Sequence, residues 1–251
     1  MLARRRRWGA AALAVALCPG IAYGWSAESR ERILDDAMRL SPPVFSRILV
    51  RHREQCRIGA AVEAAEASSP RHALTPNGEG QAGAELIRCV DETIAALSRH
   101  EPMRQVCLKA GRICHLVADL NNPLHTGALD LRASDYYDDF CQYMHSVVTR
   151  TPLVFYGWRD DPLAAGDMPA FLREIVLRSA RDAELIQRAY YPAGQRVPSS
   201  TFDDRSIPFA IASLAYSRAV SDTANLWFYV WSRAGGDVRG TPYRTVHGKG
   251  D

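Results

Sequence analysis

The chain has 251 residues, 47% of them hydrophobic and 24% charged, so it can bury a substantial core and is not intrinsically disordered. Its formal charge of +3 comes from Arg4, Arg5, Arg6 and Arg7; without residues 1–24, Lys and Arg fall from 31 to 27 against 28 Asp and Glu, a net charge of −1. A nearly neutral chain exerts no overall pull on nucleic acid, and duplex nucleic acid is not an expected partner.

The four arginines precede an apolar run from Gly9 to Leu17 that Pro19 breaks, and Ala22-Tyr23-Gly24 has the small-residue spacing of a signal-peptidase site. This pattern predicts a signal peptide over 1–24, a mature chain starting at Trp25, and export to the periplasm or beyond. The run is well short of the ~20 apolar residues of a spanning helix. Ile33, Leu34, Ala37 and Met38 share one face of a helix over Arg30–Leu40, and Pro42-Pro43 restarts the chain. Val44–Glu66 reads as one long amphipathic helix. Ser68–Gly83, rich in Pro, Asn and Gly, is the clearest interior loop. A helix over Ala84–His100 follows. Pro102 opens another that reaches Asn122, where Pro123 stops it. Residues 134–149 form a further helix, and Thr151–Trp158 is open between extended and helical. Met168–Tyr190 is helical, 193–208 is a second loop, and Phe209–Arg233 is a strongly apolar helix ended by Gly235-Gly236. Residues 235–251 read as a flexible polar tail. With no repeat, low-complexity block or βαβ alternation, residues 25–234 are expected to form a single all-α domain, a helical bundle.

After cleavage the cysteines are Cys56, Cys89, Cys107, Cys114 and Cys141, an odd number. Cys107 and Cys114 lie two helical turns apart, about 10 Å, too far to bridge each other. No CxxC occurs, so the thiols are expected as small buried hydrophobes with at most one or two disulfides.

His115 and Asp119 are four residues apart on a predicted helix and project from one face. An imidazole nitrogen and a carboxylate oxygen so placed can grip one zinc ion. Val106, Ile113, Leu116 and Val117 make the helix apolar, which turns the pair inward, and an inward carboxylate requires a cation or donors. Asn121-Asn122-Pro123 ends the helix, and the turn lets His125 fold back toward the same face.

The run Gly111-Arg112-Ile113-Cys114-His115-Leu116-Val117-Ala118-Asp119-Leu120-Asn121-Asn122-Pro123-Leu124-His125 resembles the central metal motif of the zinc-dependent phospholipases C and P1-type nucleases. Trp25-Ser26-Ala27-Glu28 is similar to the mature N-terminus of that superfamily, and Thr223-Ala224-Asn225-Leu226-Trp227-Phe228-Tyr229 to its last helix. The resemblance implies the helical phospholipase C fold, zinc as cofactor, and metal ligands at Trp25, His72, His115, Asp119, His125 and His145, with His115 and Asp119 at the catalytic centre. It implies that Trp25 binds through the free amine and carbonyl that cleavage would create.

Three positions depart from the pattern. Residues 26–50 hold no histidine, residues 52–71 hold no aspartate but only Glu54, Glu63 and Glu66, and Thr149 stands where a glutamate is expected. One zinc rather than three is therefore expected, held by His72, His115 and Asp119, with a second at Trp25, His125 or His145 as the alternative. Asp135, Asp138 and Asp139 are the nearest replacement carboxylates, although solvated helix-face charges are the simpler reading. His52, His100 and His247 need no function, and Tyr136, Tyr137, Tyr143, Phe155, Tyr156 and Trp158 are expected in the core rather than on a substrate lip. The function expected is a zinc-dependent phosphodiester hydrolase, phospholipase C-like, acting on a small-molecule or lipid phosphodiester with peripheral membrane contact. The alternatives are a non-catalytic metal-binding remnant of the fold and a single-strand nuclease.

Overall fold

The computed structural model describes residues 24–61, 70–127, 131, 134–158 and 161–239. The predicted signal peptide up to Tyr23, Glu63, Glu66, His247 and the last part of the predicted tail lie outside the described residues. The described chain is all-α, with no β-strand, and its one isolated bridge joins Leu74 to Gly80.

Helix α1 covers Ala27–Leu40, and the Ser26 hydroxyl caps it by accepting from the Ser29 N–H. Pro43 occupies the first position of α2, Pro43–Arg51. The single helix expected from Val44 to Glu66 is instead broken at His52 (φ −111°, ψ 30°), and α3 runs only from Arg53 to Ala60. The break aims α3 at α5, Met103–Leu120. The two backbones nearly touch: a Cβ on Gly59 would meet the Leu108 carbonyl oxygen at 1.9 Å, and one on Gly111 would meet that of Cys56 at 2.0 Å. Only glycine permits that approach.

Between α3 and α5 in sequence lies α4, Ala82–Ser98. After α5 the Asn122 side chain accepts from the Leu124 N–H and starts a single turn, α6, Pro123–Thr126. Helix α7 covers Tyr137–Val148, and α8 is one turn, Asp161–Ala164. Met168–Tyr190 (α9) matches its sequence expectation, and α10 covers Ile207–Arg233. The segment over Thr151–Trp158 is extended but pairs with no strand. It runs along α10, where the Val154 N–H donates to Ser217 Oγ (3.2 Å), the Tyr156 N–H to Ser221 Oγ (3.1 Å), and Asn225 Nδ2 to the Gly157 carbonyl (3.2 Å). Side chains of a helix thus satisfy backbone groups that a sheet would otherwise have to pair.

Helices α5 and α10 form the centre. From Ile113 to Leu120 every residue of α5 is buried, and α10 is buried nearly all round between Ala219 and Trp227. The Trp227 indole N–H donates to the Ala110 carbonyl at 3.1 Å, tying the two helices together. The five described cysteines are buried and unbridged, so they act as small core residues and form none of the disulfides allowed for above. No helix among the described residues is long and apolar enough to cross a membrane.

Candidate metal centre

The apolar face of α5 carries His115 and Asp119 inward one turn apart, and the short 3-10 turn Pro70–His72 brings His72 over them. His72 Nδ1 lies 2.7 Å from Asp119 Oδ2, His115 Nε2 lies 3.2 Å from the same oxygen, and the two ring nitrogens are 2.9 Å apart. All three side chains are buried, and this is the one cluster of metal-ligand type found among the described residues. The outer nitrogens, His72 Nε2 and His115 Nδ1, have no hydrogen-bond partner. The two rings commit only the nitrogens that face each other and the carboxylate.

Burial pushes the His115 imidazole below its ordinary pKa, and the neighbouring Asp119 only partly opposes this. Burial would raise the Asp119 carboxyl, but the His115 charge and the hydrogen bonds from His115 and His72 hold it well below the usual carboxylate range. At neutral pH the site therefore holds a neutral His115 imidazole and an ionised carboxylate, its charge kept by imidazole N–H donors. Metal ligands must be deprotonated, so a cation would have to displace the N–H protons that face Asp119. Two imidazoles and one carboxylate, converging in a buried site, are a donor set that suits a divalent ion of the zinc class.

The remaining expected ligands surround this group without entering it. His125 is buried beside it, with Nδ1 4.0 Å from Asp119 Oδ1. That nitrogen faces the His72 carbonyl at 3.0 Å, so it must carry the proton, and Nε2 then accepts from the Tyr137 hydroxyl at 2.9 Å. His125 thus braces the backbone of His72. The buried Trp25 indole donates to the Ala118 carbonyl (2.8 Å), while its own carbonyl accepts twice from Arg30, at 2.8 and 2.6 Å. A guanidinium therefore occupies the carbonyl that the resemblance assigns to a metal. His145 Nδ1 lies against Ser26 Oγ (2.9 Å) and Ser29 Oγ (3.2 Å) on α1.

Among the described residues no candidate replacement carboxylate joins the group. Glu54 is paired with Arg57, Asp135 binds Tyr191 and Arg196, and Asp139 receives both the N–H and the hydroxyl of Ser199. Asp138 is exposed, and exposed Thr149 turns its hydroxyl to the Ser146 carbonyl. Sequence reasoning did not single out Arg30 or assign Tyr137 a role in the site. Arg30 has no motif around it, and Tyr137 stands among other aromatics whose spacing is that of a core.

No protein-family model matches the chain, and neither does any curated protein. Among solved structures, the Clostridium perfringens alpha-toxin from the avian strain SWCP is similar at a TM-score of 0.63 and 11% identity, over 85% of this chain and 66% of the toxin. The two proteins share a fold. The likeness concerns the helical architecture, and the chain spans just under two thirds of the toxin's length.

Proposed function

We propose that this chain is a zinc-dependent phosphodiester hydrolase, phospholipase C-like, with phospholipid head groups as its substrate class. The observation that carries the reading is the convergence of His72 Nδ1, His115 Nε2 and Asp119 Oδ2 in a buried site. The motif from Gly111 to His125 and the helical fold support it. A bound zinc would supply Lewis acidity toward a phosphoryl oxygen and lower the pKa of water. Asp119 offers the charge that offsets the cation, His115 and His72 fix its position, and His125 with Tyr137 holds the His72 backbone in place. Export with a cut between Gly24 and Trp25 belongs to the same reading. A Cβ on Gly24 would meet His125 Nε2 at 3.0 Å and the unbonded Asn122 Nδ2 at 3.3 Å. The amine freed by that cut would thus start beside His125.

A second reading, a metal-binding protein without turnover, is favoured by one specific arrangement: Trp25, His125 and His145 are each committed to protein partners. Metal analysis of the purified exported chain, with its N-terminus sequenced, is the first test. Hydrolysis of p-nitrophenyl phosphorylcholine, phosphatidylcholine vesicles and single-stranded DNA is the second. We expect one zinc per chain and phospholipid-type turnover that chelator abolishes and zinc restores. His115→Ala and Asp119→Asn should each weaken zinc binding by about 10–100-fold or more. Wild-type zinc content in both variants would remove the metal site. Tight zinc with no turnover on any of the three substrates would favour the second reading, and turnover on DNA alone would favour a nuclease.

A further inference from the structure

Apart from the ligand atoms, a cleft of about 350 Å³ opens between the start of α4, the first half of α9 and the loop that follows His72. Its volume lies at the small end of the ~300–1,000 Å³ typical of ligand sites. Leu74, Ile87, Leu172 and Val176 wall it, and no aromatic side chain among the described residues lines it. Thr75 and Arg173 are its only polar side chains among the described residues. A ligand rich in heteroatoms would leave them unpaired against these walls, whereas an alkyl chain needs no partner. Leu177, 37% exposed, lies at the rim and extends the apolar surface outward. Arg173 is exposed and makes no hydrogen bond or ion pair among the described residues.

We propose that this cleft binds an acyl chain whose anionic end, a carboxylate or a lipid phosphate, is held by Arg173. The aliphatic walls take the chain, and the unpaired guanidinium at the edge selects the charge of its head. The cleft shares a loop with His72 but none of the ligand atoms, so the inference stands independently of the metal reading.

The test is a fluorescence titration of the full chain with cis-parinarate, with and without chelator. We expect saturable binding at one site per chain in both conditions. Palmitate should displace the probe about tenfold better than the alcohol of the same length, the difference set by a charge-assisted bond. Vesicles of phosphatidylglycerol form a second arm: displacement by vesicles identifies a lipid source, and displacement by palmitate alone a free fatty acid. Ala84→Trp, on the exposed start of α4, fills the mouth without entering the core and should lower probe affinity about tenfold or more, as should a charge placed on the wall by Leu177→Glu. Arg173→Ala should weaken the acidic probe about tenfold, without abolishing binding, and lose the preference for acid over alcohol. Circular dichroism melting of each variant shows that it is folded. The proposal is overturned by absence of saturable binding, by wild-type affinity in both Ala84→Trp and Leu177→Glu, or by an acid preference that survives Arg173→Ala.

Discussion

Asp119 is the residue on which the site turns, because it is ionised, buried and shared by two imidazoles. Its carboxyl is held well below the ordinary value of 3.8. A depressed folded-state pKa gives stability that is fully present above the unfolded value and lost as pH falls through the folded one. Metal-free protein should therefore lose an increment of melting temperature below about pH 4 that Asp119→Asn does not lose. Equal acid profiles for the two proteins would show that the carboxylate gains nothing from its neighbours. His115 carries the opposite consequence for metal. With its pKa lowered by burial, protons compete for it only at more acidic pH than for an exposed histidine. Tyr137 has a smaller part. Removing its hydroxyl in Tyr137→Phe costs the bond to His125 Nε2, about 1 kcal/mol, and should leave zinc stoichiometry unchanged in metal analysis; loss of the metal would make Tyr137 part of the ligand set.

The helices explain which of these residues could be read in advance. His115 and Asp119 were legible because a four-residue spacing on an apolar helix fixes both direction and burial. His72 sits on a loop, where no period constrains it, and only the resemblance pointed to it. His145 shows the limit of matching residue types. Helix α7 meets His125 with Tyr137, its first residue, and His145 lies eight residues further, about 12 Å along the axis, level with Ser26 and Ser29 of α1. The break at His52 carried no proline or glycine signal; the packing of α3 on α5 imposes it. Helices α9 and α10 meet the end of α5 through a charged group. Arg178 donates to Asp222 and, at 3.3 Å, to Asn121 Oδ1, while Asn121 Nδ2 donates to Asp222 at 2.9 Å. Arg178→Met would strand a carboxylate that is 2% exposed. The cost should be about 2–3 kcal/mol, less than for a fully buried pair because the arginine side chain keeps 25% exposure. Adding Asp222→Leu should recover much of it in denaturant unfolding, and a double variant no more stable than the single one would rule out charge burial as the cause.

At the scale of the molecule, 11% identity to the toxin accompanies a shared helical layout. What such layouts demand is burial at the right period, and many sequences supply it. The contact of Gly59 and Gly111 is less replaceable, and it acts as a fulcrum. Helix α5 is pinned there against the backbone of α3, and Asp119 rides on the lever arm eight residues beyond Gly111. That arm is about 12 Å long, so a tilt of roughly 5° at the pivot swings the carboxylate through about 1 Å. Displacements of that size already degrade a coordinated site. Gly111→Ala sets a methyl against the Cys56 carbonyl oxygen, a backbone atom that cannot rotate away. Every ligand remains in place chemically, yet zinc affinity should drop well below the melting transition, by calorimetric titration; undiminished affinity would mean that the arm is stiffer than its pivot. An alignment error of a few degrees, introduced far from any donor atom, would then detune the centre as surely as deleting a ligand.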